Sequence, residues 1–323
     1  MLQVAFAGTF AATLEASVRA RLQTPCDVIV GDEADIVPRL AGVDVLVALV
    51  FNRDMAAAAK RLKLVQVPGA GLDRIDRSAL SAATALANAY GHEVGIAEYV
   101  MGAILALTRS FARIDGALRR GIWESQWGVG GTPPSPWPEL ARKTLGILGY
   151  GRIGHALARR ARAFDMDVCA IRRDVASSRA DGLALLGGPE ALDDVLRRAD
   201  YLAVTLSLND QTRGLLGERE LSLMKPSAVL VNVARAEILD EDALYRALLE
   251  RRIAGAALDV WYRYPKEPGP TLPARRPFHE LSNVLMTPHV SGWTEGMLEA
   301  RAALIAENIE RTGRGEPPLN LIR

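Results

Sequence analysis

At 323 residues the chain is long enough for two domains of ordinary size, and a composition of 49% hydrophobic and 24% charged residues is that of a globular protein with an ample core. A formal net charge of +1 leaves no electrostatic footprint for nucleic acid or an anionic membrane surface, so neither is expected as a partner. The two cysteines, Cys26 and Cys169, lie in or beside apolar runs and read as small buried hydrophobes, not as a disulfide or a metal site.

The opening MLQVAFAGTF lacks a basic leader and reads directly as a first strand, which together with the reduced cysteines points to the cytoplasm. Apolar runs at 3–8, 27–31, 44–50 and 63–67 then alternate with Ala-, Arg- and Leu-rich helical stretches. Runs without polar alternation suit strands buried on both faces of a parallel sheet. A helix is predicted over 95–110; its apolar part, IAEYVMGAILALT, is too short to span a bilayer and carries Glu98. The irregular segment WESQWGVGGTPPSPWPEL at 123–140 is long enough to read as a functional or intersubunit arm.

The strand–helix rhythm resumes at 144–149, 167–171, 201–207, 228–234 and 255–260. Two such series imply an α/β protein with two doubly wound parallel-sheet domains. A last helix, TEGMLEARAALIAENIERT, follows the second series and is expected to return to the first domain. The expected division is therefore 1–97 with 293–323, and 98–292, with the site in the cleft between the two.

The second series opens on LGILGYGRIGHALARRARAF, a strand, a turn and an amphipathic helix. Gly149, Gly151 and Gly154 fall in G-x-G-x-x-G spacing, with Tyr150, Arg152 and Ile153 between them. The first glycine permits a tight turn, the second lets backbone approach a pyrophosphate, and the third allows close helix–strand packing. The helix N-terminus then turns free N–H groups onto the phosphates. A dinucleotide site follows from the turn together with its flanking strand and helix.

The next strand ends DVCAIRRD, with Arg172 where an acid that selects NAD usually stands. A carboxylate there accepts from the ribose hydroxyls and repels an added phosphate; arginine offers that phosphate a planar fork of donors. Of 323 residues 34 are arginine, so an adjacent pair at a chosen position is about a one-in-a-hundred event. NADP is the preferred cofactor on this reading and NAD the alternative, with Asp174 as ribose ligand should the strand run further.

Downstream lie MKPSAVL (224–230), VNVARAEILDEDAL (231–244), GAALDVW (255–261) and LMTPHVSG (285–292); upstream lie KLVQVPGAGLDRID (63–76) and ANAYGHEVGIAEYVMGAILAL (87–107). In this order, and with the glycine turn, they resemble the D-isomer-specific 2-hydroxyacid dehydrogenase family, glyoxylate/hydroxypyruvate reductases included, over nearly the whole chain. The resemblance implies a flavodoxin-like substrate domain, a Rossmann cofactor domain and a homodimer built mainly through the latter. It implies that Arg235 binds the substrate carboxylate and polarises the 2-oxygen, although the glycine of the family's N-x-x-R-G motif is Ala236 here. His289 is the implied general acid/base, and Asp259 the residue that meets the nicotinamide carboxamide. On the cofactor it further places Arg173, Thr205, Leu206, Ser207, Thr212, Val233, Ala234 and Gly292. The loop Gly69, Ala70 and Gly71 is assigned to the substrate carboxylate as an anion-binding nest, with Phe51 as a further substrate contact. Tyr90, His92, Trp261 and Trp293 are available as pocket walls; His155 and His279 have no assigned role.

One departure matters. The family glutamate that supports the catalytic histidine falls, without a gap, on Tyr264; Glu267 takes its place only if three residues are inserted. A neutral tyrosine orients an imidazole without adding charge, so His289 is expected to titrate lower than beside a carboxylate. The resulting expectation is an oxidoreductase moving a hydride between NAD(P)H and C2 of a small 2-keto or D-2-hydroxy acid. A formate- or phosphite-type dehydrogenase and a corepressor-like nucleotide sensor are the alternatives, the second gaining nothing from an Arg/His pair.

Overall fold

The computed structural model describes residues 1–130, 135–176 and 182–322, and it divides into two compact units, one of residues 1–92 and 293–323 and one of residues 93–292. Residues 131–134 of the expected arm lie outside the described residues.

Unit 1 holds five strands, β1 (Leu2–Ala7), β2 (Cys26–Gly31), β3 (Val45–Ala48), β4 (Leu64–Gln66) and β5 (Ala85–Ala87), with helices α1 (Thr9–Arg19) and α2 (Arg53–Ala58) between them. All pairs are parallel and the order is β2-β1-β3-β4-β5, the flavodoxin-like arrangement. Strand β3 is buried at every position, as an unalternating VLVA predicts; the edge strand β2 is not.

Unit 2 begins with α3 (Glu93–Thr108) and α4 (Phe111–Arg119). Its sheet comprises β6 (Thr144–Leu148), β7 (Asp167–Ile171), β8 (Leu185–Gly187), β9 (Tyr201–Val204), β10 (Val229–Asn232), β11 (Gly255–Leu258) and β12 (Val284–Met286). Between these lie α5 (Arg152–Ala163), α6 (Leu192–Arg198), α7 (Glu218–Leu223) and α8 (Glu241–Leu249). The order β12-β11-β10-β9-β6-β7-β8 reverses between β9 and β7 across β6, the switch point of a Rossmann sheet. The structure divides the chain at residue 92, not at the expected residue 97, because all of α3 belongs with the unit 2 sheet. Its Ile96, Ala97, Val100 and Ile104 share a core with Leu145, Ile147 and Leu157 of unit 2.

The last helix, α9 (Glu295–Arg314), belongs to unit 1 and packs on α1, where Ile305 and Ile309 join Leu14 and Val18. Thr294 caps its start and Gly315, at φ 72°, ends it in the left-handed region that suits glycine. Among the described residues no single helix is long and apolar enough to cross a membrane.

Candidate active site

The three turn glycines of unit 2 each do a separate steric job. Gly149 has φ 105°, and a Cβ there would lie 2.9 Å from backbone atoms of Thr205 and Leu206. A Cβ on Gly154 would lie 2.7 Å from Gly149 O, so only glycine lets α5 seat this closely on β6. Gly151 is the reverse case: nothing stands within 4 Å of its missing Cβ. That open space over the α5 N-terminus is where a pyrophosphate fits, and the residues present suit a dinucleotide.

A cavity of about 600 Å³ opens at this turn, lined by Glu93, Gly151, Arg152, His155 and Arg172. Strand β7 ends at Ile171, so Arg172 is the first residue past the sheet, held by its N–H on Gly187 O at 3.0 Å. Asp174 is two residues further out, and Arg173 is exposed. The Thr205 hydroxyl donates to Gly149 O at 2.8 Å, so this residue braces the turn from below. Thr212 closes its own loop by donating to Ser207 O at 2.8 Å.

Across the switch point, β10, β11 and β12 deliver the candidate catalytic groups at adjacent strand ends. Asn232, the last residue of β10 and buried, accepts from Ala234 N at 3.0 Å and donates to Arg235 O at 2.9 Å. It thereby fixes the turn through Val233 and Ala234 that presents Arg235. No role was expected for it, although it is the first letter of the N-x-x-R-G motif that contains Arg235.

After β12, His289 adopts φ 59°. Its Nδ1 lies 2.8 Å from the Tyr264 hydroxyl, while Glu267 is exposed in the loop beyond. Enclosure of the Tyr264 hydroxyl pushes its pKa above the ordinary phenol value, against the pull of the Trp261 N–H and the Arg235 charge. Tyr264 therefore stays protonated at neutral pH and carries no charge to the imidazole.

Asp259 is fully enclosed, and its oxygens serve the histidine loop. Oδ1 accepts from Thr287 Oγ1 at 2.6 Å and Val290 N at 2.8 Å, and Oδ2 accepts from Ser291 N at 2.8 Å. The carboxylate thus clamps the backbone on both sides of His289. Because the Thr287 hydroxyl gives its proton to Asp259, the Tyr99 hydroxyl on α3, 2.6 Å away, must donate to Thr287. Burial raises the Tyr99 pKa, with Asp259 adding to it, which keeps that donor protonated. Trp261, expected on a pocket wall, is instead buried; its indole N–H donates to Thr287 O at 2.8 Å.

In unit 1, Phe51 is likewise a core residue, buried beside Leu46, Met55 and Ile75, and not an open substrate contact. The loop Gly69–Gly71 is pinned by its carbonyls: Gly69 O accepts from Ala89 N at 3.0 Å and Ala70 O from Asn88 Nδ2 at 3.1 Å. A trans peptide sets its N–H opposite its C=O, so the amides of Ala70 and Gly71 turn the other way, as an anion nest requires. Asn88 is buried and its Oδ1 has no partner among the described residues. His92 is buried with its Nδ1 3.1 Å from the Arg301 guanidinium, which also donates to Tyr90 O at 3.2 Å. Trp293 is half-exposed, edge-on to Phe10 at 5.8 Å.

A Rossmann sheet with an open phosphate turn, and an arginine and a histidine at strand ends on the same side of the switch point, defines a dinucleotide-dependent oxidoreductase. Residues 101–291 match the model of the D-isomer specific 2-hydroxyacid dehydrogenase, NAD binding domain. The chain is 32% identical over 322 residues to a glyoxylate reductase of Thermofilum pendens, covering 93% of this chain and 89% of that one. It is 33% identical over 296 residues to a D-3-phosphoglycerate dehydrogenase of Methanocaldococcus jannaschii, spanning 89% of this chain but only 53% of the relative. A 2-hydroxyacid dehydrogenase from Xanthobacter autotrophicus Py2, solved with NADPH and MES, superposes with a TM-score of 0.79 at 26% identity over 100% of this chain and 98% of that one. The chain belongs to the D-isomer-specific 2-hydroxyacid dehydrogenase family, enzymes that move a hydride between a nicotinamide cofactor and C2 of small 2-keto and 2-hydroxy acids.

Proposed function

We propose that this chain is an NADP-preferring reductase of small 2-keto acids, working as a homodimer in the cytoplasm. The observation that carries the reading is the C-terminal edge of the unit 2 sheet. An Arg172-lined phosphate cavity lies on one side of the switch point, and a Tyr264-backed His289 lies beyond Arg235 on the other. When bound, the nicotinamide supplies the hydride that adds to C2 of the keto acid.

Gly149, Gly151 and Gly154 hold the pyrophosphate, with Thr205, Leu206, Ser207, Thr212, Val233, Ala234 and Gly292 along the remaining strand ends. Arg172, helped by Arg173, binds the added phosphate in bidentate fashion. Arg235 holds the substrate carboxylate and stabilises negative charge growing on the 2-oxygen. Within unit 1 the family pattern assigns the Gly69–Gly71 loop to a substrate carboxylate, by sequence order and by the outward amides. With Nδ1–H on the Tyr264 oxygen, His289 Nε2 is left to give its proton to the 2-oxygen in reduction and to take it back in oxidation.

The two thiols are both free, in keeping with a reducing compartment. Phe111, Leu118, Ile122, Trp123 and Trp127, exposed on α4 and the arm, are apolar area for a second copy to cover. Light scattering should give twice the chain mass.

The test is NADPH and NADH oxidation with glyoxylate, hydroxypyruvate, pyruvate and bulkier keto acids. Turnover of a small keto acid with a preference for NADPH is expected, and Arg172→Asp should weaken NADP far more than NAD. Cofactor binding without turnover of any acid would favour the nucleotide-sensor reading.

A further inference from the structure

We infer that His155 is a contact of the added phosphate of NADP, and one that takes up a proton as that phosphate binds; this builds on the reading that the Arg172 cavity receives NADP. His155 sits in the first turn of α5, and its ring lines the same cavity as Arg152 and Arg172. The ring is held in place on two sides. It stacks on Tyr150 with centroids 4.0 Å apart and planes 25° from parallel, and its Nδ1 lies 2.7 Å from Gly151 O.

A carbonyl oxygen only accepts, so Nδ1 must carry the hydrogen. Nε2 is then the one ring position where protonation changes anything. In the neutral ring Nε2 presents a lone pair, which a phosphate oxygen repels; in the imidazolium it presents an N–H, which a phosphate oxygen accepts with charge assistance. The same cavity is lined by Arg152 of the same helix, Arg172 after β7 and Glu93 at the start of α3, and the ring rests on the Tyr150 phenol.

A phosphate monoester brought into this cavity carries nearly two negative charges, and a proton on Nε2 gives it a charge-assisted donor. NAD, which has a hydroxyl at that position, supplies no such pull. His155 thus contributes to cofactor choice through a proton that only one of the two cofactors recruits.

The experiment is calorimetric titration of NADP+ and NAD+ into the full-length chain, its His155→Gln variant and its Arg172→Asp variant, each in two buffers of different ionisation enthalpy. The phosphate's own protonation is common to the parent chain and His155→Gln, so their difference isolates the imidazole. The parent chain is expected to take up more protons with NADP+ than His155→Gln does. The variant should lose about five- to tenfold in NADP+ affinity and nothing in NAD+ affinity. Equal proton uptake in the two proteins overturns the inference. If Arg172→Asp collapses the preference for NADP+ while His155→Gln leaves it intact, the histidine role alone fails. If Arg172→Asp leaves the preference unchanged, the reading that the Arg172 cavity receives the added phosphate falls and the inference with it.

Discussion

The two sheets are nearly interchangeable at one edge and opposite in use at the other. At the N-terminal edge, Asp44 precedes β3, accepts from Gln3 N at 3.0 Å and meets Lys63 at 3.2 Å. Asp200 precedes β9, accepts from Thr144 N at 2.9 Å and from Lys225 at 2.9 Å. Each acid ties the first strand of its sheet to a neighbour and to a lysine entering the next strand. At the C-terminal edge the first strand–helix turns diverge. A Cβ on Gly8, at φ 85°, would lie 3.1 Å from the Glu33 side chain, whose carboxylate pairs with Arg74 at 3.2 Å. The α1 N-terminus is thus met by an acid of the protein, whereas the space over Gly151 is left open, with Arg152 and Arg172 as well as Glu93 in the lining of its cavity. The same helix-end electrostatics serve structure in one unit and recognition in the other.

The largest effect expected sets the two buried aspartates against each other. Asp259→Ala removes the acceptor for three donors around His289, each costing about 1–3 kcal/mol when left unpaired, so kcat should fall by at least about 100-fold. Asp44→Ala should lower stability and leave kcat where it was. Next, Gly149→Ala adds about 1–3 kcal/mol of strain to the turn itself and should weaken NADPH by about 10- to 100-fold in a fluorescence titration. Gly8→Ala, strained to a similar degree, should lower the Tm with NADPH affinity unchanged; loss of cofactor binding there would break the comparison.

The Asp44 corner also predicts an acid limb. Burial tends to raise the Asp44 pKa, but the Gln3 N–H, Lys63 and Arg61 outweigh it and hold it below the ordinary carboxylate value. A depressed pKa contributes stability that is complete above the unfolded value, about 4, and is lost as pH falls through the folded one. Urea unfolding should therefore find Asp44→Asn less stable than the parent by about 2 kcal/mol at neutral pH, the gap closing as pH falls through the depressed carboxylate value. The smallest effect is at Tyr264. Tyr264→Phe should cost roughly fivefold in kcat, Tyr264→Glu should extend keto acid reduction to higher pH, and Glu267→Ala should change neither.

Much of this was legible because it depends on pattern. Nine strands announced themselves as apolar runs; β5, β8 and β12, three residues each, did not, whereas β4 of equal length lay within the longer run 63–67. The glycine turn could be read down to the job of each residue, since φ and backbone approach follow from lacking a Cβ. What stayed hidden was pairing at a distance. Nothing near position 259 says that its carboxylate closes on Thr287, Val290 and Ser291, or that Asn88 reaches back to Ala70. Phe51 and Trp261 misled for the same reason: an aromatic near a motif is as easily core as wall, and only packing decides.

The backbone at residue 289 has a consequence for the site. A left-handed φ costs a side chain such as histidine about 1 kcal/mol, and asparagine or glycine would sit there more comfortably. Every such replacement would remove the imidazole that we propose as the acid/base. On that reading, a sturdier backbone at this position and a working site pull in opposite directions.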